Sequence, residues 1–377
     1  MTAIGWQQAF RRRLQRSHLL ERASAGSAID VARAVCGLQA QVQASTEQQL
    51  AARIDGLRQA DVRAAMWETR ELVKAWTIRG TLHLHPAGDV ALWMAARRAV
   101  TTGGDGSLPP WRDPAGKLHP GLTAEEAAEM RAAVWDALDG RCLRRDELAD
   151  AVASRAGRRH RDRLRSGFAF FLEDLCQGPP QGARITLARP DQWVDGWRPA
   201  DEDAALAEAC RRFLHAYGPA APADFSEWFG GGALPVAACR DLFARLADEL
   251  SEVAVDGREA FVLRGDDAFA AGSGGVRLLP EYDAYVMGSR DRARLVPQAV
   301  RALVAAHGRG RYEGPAGVRF VMVDGVAAGL WERAKRGRRL EMRVTLTKRV
   351  ARAALQQEAG RIGVLLGLEP ELSVERG

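Results

Sequence analysis

Residues 72–85 read LVKAWTIRGTLHLH, two segments of alternating apolar and polar residues separated at Gly80. A period of two predicts β-strands, and a glycine between them favours a turn, so this stretch predicts a hairpin. The helical patterns that precede it occupy residues 2–16, 28–38, 45–55 and 59–70. Helices followed by a β-hairpin are the plan of a winged helix, which is a helix-turn-helix with a β-wing.

The same order recurs twice farther along the chain. The second set has helical patterns at 123–138, 144–156 and 162–177, then strand-like segments at 183–188 and 192–197. The third set has helical patterns at 201–217, 223–229 and 235–249, then strand-like segments at 252–256 and 260–264. Three occurrences in series favour a tandem array of units. For any one unit, the alternative is a helical domain that makes no contact with a DNA groove.

The pattern becomes rich in strands after Gly275. Strand-like segments at 276–288, 317–325, 326–333 and 338–346 are followed by a helical pattern at 348–366. Within them, residues 331–345 predict a long hairpin, and its tip carries the four cations Lys335, Arg336, Arg338 and Arg339. Such a tip can enter a DNA groove or hold phosphates. The alternative is a solvated, charged turn.

The predicted fold class is therefore α+β. It consists of three tandem winged-helix units at 1–102, 122–199 and 200–272, followed by a small C-terminal β-rich domain at 273–377. Residues 103–121, GGDGSLPPWRDPAGKLHPG, are rich in glycine and proline and are expected to form a linker after the first unit.

Composition narrows the class of protein and its partners. The 377 residues carry a formal net charge of +6, which modestly favours a polyanionic partner. No run of eighteen apolar residues occurs, and the basic N-terminus lacks the apolar stretch of a signal peptide; we therefore expect a cytoplasmic, nucleoid-associated protein without a membrane span. The five cysteines lie far apart, which argues against a zinc site and a disulfide framework. Only four of the basic residues are lysines, so imine-forming lyase chemistry is disfavoured.

The most unusual local sequence is residues 36–43, CGLQAQVQ. A glutamine amide does not titrate, but it can accept a hydrogen bond from a water and donate one to a neighbouring oxygen. Such an amide can position a water to attack a carbon whose leaving group is already activated. Residues two apart converge only if the helix ends here or the segment is extended, and Gly37 makes such a break plausible. The alternative is a polar helix face.

Other candidates for chemistry are weaker. Glu281 and Asp283 alternate on a strand-like segment and could form a carboxylate pair, although hydrogen bonds to the β-rich domain are the simpler interpretation. His83 and His85 have the same spacing and could bind a metal, but no third ligand is evident. The loop at 272–275 lacks the Gly-Lys-Ser/Thr of a phosphate-binding loop. No metal or cofactor is therefore expected.

The segment from Gly37 to Gln41 resembles the Gln-aliphatic-Gln motif of the AlkZ-type DNA glycosylases. The other segments that match are 76–84 (WTIRGTLHL), 224–228, 278–285 (LLPEYDAY) and 323–331, in the order of the family. The resemblance runs from about residue 10 to residue 366. It implies tandem winged helices with a C-terminal β-rich domain, in agreement with the repeat above.

The resemblance also implies an activity and a site. The family removes bulky N7-alkylguanine adducts and interstrand crosslinks from DNA, so the expected partner is double-stranded DNA bearing alkylated purines, bound by a monomer. Gln39 and Gln41 take the catalytic roles, and Arg79 joins the cations of the hairpin tip as a DNA contact. Related branches carry Gln-aliphatic-Asp, and this chain lacks that carboxylate. Gln41-Val42-Gln43 also satisfies the motif, so a register shifted by two residues stays open.

A motif without a carboxylate fits the substrate. An N7-alkylguanine is cationic and departs as a neutral base, so it needs no general acid, and dipoles with an aligned water supply the remaining stabilisation. The predicted function is therefore a monofunctional glycosylase, serving DNA repair or self-resistance to an alkylating natural product. The competing hypotheses are a winged-helix regulator without enzymatic activity and a protein that sequesters a DNA-reactive compound.

Overall fold

The computed structural model describes residues 2–101, 106–108, 110–113, 115–157, 161–166, 173–306 and 317–377. Up to Thr101, besides two short 3₁₀ turns, its elements are β1 (Thr2–Ile4), α1 (Trp6–Arg16), α2 (Ala28–Ala34), β2 (Leu38–Gln39), α3 (Gln43–Ala51), α4 (Gln59–Trp67), β3 (Leu72–Trp76), β4 (Leu82–Pro86) and α5 (Val90–Thr101). The hairpin predicted from residues 72–85 is formed by β3 and β4, which pair antiparallel from Leu72↔Pro86 to Trp76↔Leu82.

The middle of the chain repeats the order of helices and then strands. Its elements are β5 (Trp111–Arg112), β6 (Leu118–His119), α6 (Ala124–Ala137), β7 (Leu143–Arg144), α7 (Arg145–Ala156), α8 (Arg161–Ser166), β8 (Cys176–Gln181), β9 (Arg184–Ala188) and α9 (Pro190–Trp193). A capping box starts α6, in which the Thr123 side chain accepts from the backbone N–H of Glu126.

The hairpin predicted for this middle set, between the segments 183–188 and 192–197, is wrong because the first segment pairs with a different strand. The hairpin is β8 with β9, whereas the segment 192–197 begins inside the helical turn α9, which Pro190 starts at its first position. Strand β8 was not predicted because its sequence, CQGPPQ, has two prolines and no apolar alternation. The helix predicted at 162–177 is wrong at Cys176 and Gln177, which lie in this strand, and its residues 167–172 lie outside the described ranges. The pairing register shifts between Gly178 and Gln181, so β8 is an irregular strand.

The first two sets share one sheet and one core. A six-stranded sheet runs in the order β2-β4-β3-β8-β9-β7, and β3 meets β8 at Ala75↔Cys176. A single cluster of buried apolar side chains includes Leu38 and Leu84 from the first set and Leu148 and Leu187 from the second. The strand face that carries Leu38 and Leu84 therefore packs on this core, and the opposite face is left for other side chains.

The third set contains α10 (Glu202–Tyr217), α11 (Pro222–Phe225), a π-helical turn at Ser226–Gly230, α12 (Val236–Arg245), β10 (Leu250–Val255) and β11 (Arg258–Leu263). Strand β1 adds to this hairpin in parallel, from Thr2↔Val253 to Ile4↔Val255. The prediction of a helix from residue 2 is therefore wrong at its start. These first residues lie in a strand because a distant hairpin pairs with them, and α1 begins only after Gly5.

The C-terminal part contains β12 (Val276–Leu279), α13 (Ala284–Gly288), α14 (Arg292–Leu295), α15 (Gln298–Ala306), β13 (Phe320–Val323), β14 (Val326–Arg336), β15 (Arg339–Leu346), α16 (Arg352–Leu366) and β16 (Glu369–Arg376). The five strands form one sheet in chain order, with β16 parallel to β15. The long hairpin predicted at 331–345 is confirmed, and its last pair is Arg336↔Arg339. The strand expected over 276–288 is wrong beyond Leu279, because Asp283 caps the short helix α13.

Helix α1 connects the third set and the C-terminal part. The guanidinium groups of Arg12 and Arg16 both bind the carboxylate of Asp266, and Arg13 Nη2 donates to the carbonyl of Pro219 at 3.0 Å. Phe10 and Leu14 of the same helix pack among buried side chains of the C-terminal part. Among the described residues, no helix combines the length and the apolar character that crossing a membrane requires.

Candidate active site

The two glutamines of the predicted motif come together. Helix α2 ends at Ala34, and Cys36 (φ 59°) and Gly37 (φ +94°) turn the chain into the extended strand β2. Extension places Gln39 and Gln41 on one side of the backbone, where Gln39 Nε2 donates to Gln41 Oε1 at 3.0 Å. The break in the helix, which convergence of the amides requires, is therefore present.

The hydrogen bond between the two amides leaves each with a distinct role. Because the Gln39 nitrogen is the donor, its Oε1 faces away as an acceptor. That oxygen is buried and has no hydrogen-bond partner among the described residues. Gln39 is 4% exposed, whereas Gln41 is exposed. The pair therefore offers a desolvated acceptor beside a solvent-facing amide.

Three side-chain donors bind backbone carbonyls of the motif. Gln49 Nε2 and Thr46 Oγ1, both on α3, donate to the carbonyl of Gln39 at 3.0 Å and 3.2 Å. Lys74 Nζ, on β3, donates to the carbonyl of Ala40 at 3.1 Å. The carbonyls around the catalytic candidates are thus fixed by side chains from two other elements.

Lys74 is the centre of a buried polar network on the core side of the sheet. Its Nζ also donates to Gln43 Oε1 at 2.6 Å, and Gln43 Nε2 donates to the buried carboxylate of Glu47 at 3.0 Å. Burial lowers the pKa of Lys74 to about 8, and the charge of Glu47 offsets part of that effect. Because the Gln43 amide binds Lys74 and Glu47, we favour Gln39/Gln41 over Gln41/Gln43 as the register of the motif.

The C-terminal part supports the motif through α3. Asp283 binds Arg53 with two bonds of 2.8 Å, and both side chains are fully buried. Next to them, the backbone N–H of Ala284 donates to Gln49 Oε1 at 3.2 Å, so the amide that holds Gln39 is itself held. Removing one partner of such a buried ion pair typically costs about 3–5 kcal/mol, because the other charge stays buried and unpaired.

Glu281 and Asp283 do not form the carboxylate pair considered from the sequence. Glu281 binds Arg319 with bonds of 2.6 Å and 3.1 Å, while Asp283 binds Arg53. The two carboxylates are therefore neutralised separately. Their alternation on a strand is wrong because the strand ends at Leu279.

The two histidines lie on the same sheet face as Gln39. His83 is the direct cross-strand partner of Gln39 in the pairing of β2 with β4. His85 stacks on Trp93 with ring centroids 5.3 Å apart, and one of its nitrogens lies 2.9 Å from Thr77 Oγ1. Burial lowers the pKa of His83 to about 3, and the nearby cation of Arg79 contributes. Within the described ranges, no cluster of three or more potential metal ligands occurs.

The cations expected to contact DNA occupy two different environments. Lys335, Arg336, Arg338 and Arg339 are all exposed at the hairpin tip, where Arg339 lies 2.9 Å and Arg336 lies 3.6 Å from a glutamate. Arg79 instead is half-buried, and its Nη1 donates to the carbonyl of Trp228 at 2.6 Å. Burial lowers the pKa of Arg79 to about 10. Arg79 thus ties the turn after β3 to the third helix set.

The sequence alone did not identify the supporting residues Thr46, Gln49 and Lys74. A weak signal was present, because a lysine in an otherwise apolar strand and a second pair of glutamines at 48–49 are unusual. Their contacts with the motif arise only when α3 and β3 fold over it.

A family model described as "DNA glycosylase AlkZ-like" matches residues 32–364 of the chain. Among characterised proteins, the chain is similar to the interstrand DNA cross-link repair glycosylase of Streptomyces sahachiroi. The two are 32% identical over 380 residues, which cover 96% of this chain and 97% of the relative. Among solved structures, the DNA glycosylase AlkZ of Streptomyces sahachiroi superposes with a TM-score of 0.80 and 29% identity, over 99% of this chain and all of the other. The mixed α/β fold described above is thus shared with that structure.

Proposed function

The chain belongs to the AlkZ-like DNA glycosylase family, and from this premise we propose that it hydrolyses the N-glycosidic bond of bulky, cationic N7-alkylpurines in double-stranded DNA. The observation that carries the proposal is the hydrogen-bonded pair Gln39–Gln41, whose buried Gln39 oxygen has no partner in the part of the chain that the structure describes. The relative's description as a cross-link repair enzyme extends the proposed substrates to interstrand crosslinks.

The reaction needs little from the protein beyond orientation. The cationic base leaves with the electron pair of the glycosidic bond and becomes neutral, while positive charge develops on the sugar. The oxygen of Gln39 can accept a hydrogen bond from the attacking water and stabilise that charge, and the exposed amide of Gln41 fixes the orientation of the Gln39 amide. An unmodified guanine keeps its bond because its departure as an anion demands stronger catalysis.

DNA binding is proposed for the three helix sets and the hairpin. Each set ends in an antiparallel strand pair, which fits three tandem winged-helix units followed by a β-rich domain. We propose that the exposed cations of the hairpin tip hold phosphates or enter a groove. We propose that a monomer acts on chromosomal DNA in the cytoplasm, in general repair or in self-resistance.

Catalysis is proposed to end at an abasic site without cleavage of the strand. A lyase needs an amine at the sugar, and the lysine nearest the motif, Lys74, faces the core side of the sheet and binds Ala40 and Gln43. A reaction product that breaks only after alkaline treatment is the expected result.

The test measures single-turnover release of 7-alkylguanine from alkylated duplex DNA by the wild type and by Gln39→Ala and Gln41→Ala. Loss of an aligned polar group at a developing charge typically lowers a rate by about 10²–10³-fold, and DNA affinity should stay close to that of the wild type. The double variant should lose less than the product of the single effects, because groups that act as a unit are not additive. Gln356→Ala, on the exposed side of α16, is the matched control.

Gln43→Ala tests the register. We expect a smaller loss than for Gln39→Ala, since Gln43 contacts Lys74 and Glu47 rather than the amide pair. If Gln43→Ala abolished excision while Gln39→Ala were silent, the catalytic pair would be Gln41/Gln43. If the wild type bound DNA but released no alkylated base, the proposed activity would be wrong.

A further inference from the structure

We propose that His83 is a further catalytic residue, whose Nε2 accepts a hydrogen bond from the water that Gln39 orients and takes that one proton as the water attacks. The inference rests on the proposed glycosidic-bond hydrolysis and adds a residue that the Gln-Ala-Gln motif does not contain. Its basis is the pairing of β2 with β4 and the hydrogen bonds of the imidazole.

The pairing of the strands brings the two side chains together. Gln39 and His83 are directly opposed in the antiparallel pair, so both project from the same face of the sheet. Cβ atoms of opposed residues lie about 4.5–5.5 Å apart. The preceding pair, Leu38↔Leu84, faces the apolar core on the other side. The face that carries Gln39, Gln41 and His83 is therefore not the face that packs on the cluster containing Leu38 and Leu84.

The hydrogen bonds of His83 define its tautomer. Its Nδ1 lies 2.9 Å from the carbonyl oxygen of Thr81, and a carbonyl can only accept, so Nδ1 carries a proton. In the neutral imidazole, Nε2 then holds a lone pair. Nε2 receives no hydrogen bond from any residue that the structure describes. Thr81 thus orients the ring and leaves one acceptor atom for a ligand.

Burial and charge keep this ring neutral. The side chain is 3% exposed, which lowers the pKa of His83 to about 3, and the cation of Arg79 adds to the effect. Arg79, which donates to the Trp228 carbonyl, therefore also acts on the site, because its positive charge disfavours protonation of His83. An imidazole in this environment is an acceptor throughout the physiological pH range.

An attacking water needs two acceptors. Its reactive lone pair must point at the sugar carbon, and this requires that both protons point elsewhere. Gln39 Oε1 is a buried acceptor that has no partner among the described residues, whereas Gln39 Nε2 already uses one lone pair of Gln41 Oε1. His83 Nε2 is a second acceptor on the same face. The two atoms together align the nucleophile.

The atoms and charges of the step balance. The glycosidic bond breaks, and its electron pair leaves with the alkylated base, which becomes neutral. The water oxygen bonds to the positively charged sugar carbon, and one of its protons moves to His83 Nε2. The resulting imidazolium, disfavoured by burial, releases that proton to solvent. A weak base suffices, since a water that is bonding to a cation is strongly acidic.

The experiment compares wild type, His83→Phe and His83→Gln in single-turnover excision of 7-alkylguanine from duplex DNA. Phenylalanine keeps a ring of similar size without an acceptor, and glutamine restores an acceptor oxygen. We expect about a 10²-fold loss for His83→Phe, partial recovery for His83→Gln, and unchanged DNA affinity. The control is His119→Phe, whose ring stacks on Trp111 in the short β5–β6 pair.

A second measurement separates catalysis from structure. Excision in mixtures of water and methanol yields hydrolysis and methanolysis products, and their ratio reports how strongly the site prefers its bound water. In His83→Phe the methanolysis share should rise toward that of spontaneous depurination in the same mixture. Thermal unfolding of each variant shows whether the fold is intact.

The outcomes are distinct. A wild-type rate in His83→Phe overturns the role of His83 and leaves the proposed function standing. A slow His83→Phe with an unchanged product ratio also overturns it, because His83 would then support only the fold. If the wild type itself releases no alkylated base, the proposed function fails, and the inference fails with it.

Discussion

Gly37 controls the geometry of the motif at the level of one residue. Its φ of +94° lies in the region that favours glycine, and a Cβ at this position would overlap the imidazole of His85. We expect Gly37→Ala to lower the free energy of unfolding by about 1–3 kcal/mol through backbone strain and overlap. Excision should fall as well, because His85 lies in the strand that pairs with the motif. Chemical denaturation and single-turnover kinetics measure the two effects.

Gly56→Ala is the matched control for that substitution. Gly56 also has a positive φ, +72°, but a Cβ there would meet no atom within 4 Å. It therefore reports the backbone cost alone. Equal losses of stability in the two variants would show that the contact with His85 is unimportant.

At the residue scale the motif itself was predictable and its supports were not. The pair Gln39/Gln41 follows a glycine and resembles a family motif, so its convergence could be expected before the structure was known. Thr46 and Gln49 bind the Gln39 carbonyl from a helix whose orientation depends on the buried pair Arg53–Asp283. That pair joins positions 230 residues apart, a relationship that local patterns do not contain.

At the element scale, the hairpin of β14 and β15 leads to a prediction about the affinity for duplex DNA. Phosphate contacts release counterions, so duplex affinity should fall steeply with salt, and each lost contact should reduce the slope of log K against log salt by about 0.9. Replacing Lys335, Arg336, Arg338 and Arg339 together by alanine should lower affinity and flatten that slope. Fluorescence anisotropy across a salt series measures both.

The charge-conserving quadruple variant, with Lys335→Arg and the three arginines replaced by lysine, should keep the slope. An alanine variant that binds like the wild type at every salt concentration would make the tip a solvated turn. In the alanine variant, the slope of log K against log salt should fall by less than the loss of four full phosphate contacts would give. The reason is that Arg336 and Arg339 already lie near Glu341 and Glu371.

Elements with regular periodicity could be predicted, and those made by distant pairing could not. The hairpin tip and helices such as α10 follow from alternation and amphipathic spacing. Strand β16 was missed, because its sequence EPELSVER is mostly polar and exposed, and parallel pairing with β15 is what makes it a strand. Strand β1 was missed for the same reason, because β10 is its only strand partner among the described residues.

For the whole molecule, we expect catalysis to need neither metal nor thiol. Four of the five cysteines are buried, and burial raises their thiol pKa values, for Cys239 to about 11. Thiolates are therefore scarce at neutral pH, and alkylating reagents should react first with the half-buried Cys142. Excision should keep its rate in the presence of EDTA and after treatment with iodoacetamide. Mass spectrometry identifies the cysteines that iodoacetamide has labelled. Activity lost to EDTA and restored by zinc would contradict this and assign a metal to His83 and His85.

The attachment of α1 has a consequence for how the molecule is made. Helix α1 is synthesised well before its partners, since the adjoining strand β1 pairs with β10 and the arginines of α1 bind Asp266. At about 5–20 residues per second, roughly 12–50 s pass before those partners are synthesised. Through that interval Phe10 and Leu14 lack the neighbours that cover them in the finished protein. Helix α1 thus docks only after distant partners have been made, and we expect its nascent form to bind chaperones that recognise apolar, basic segments.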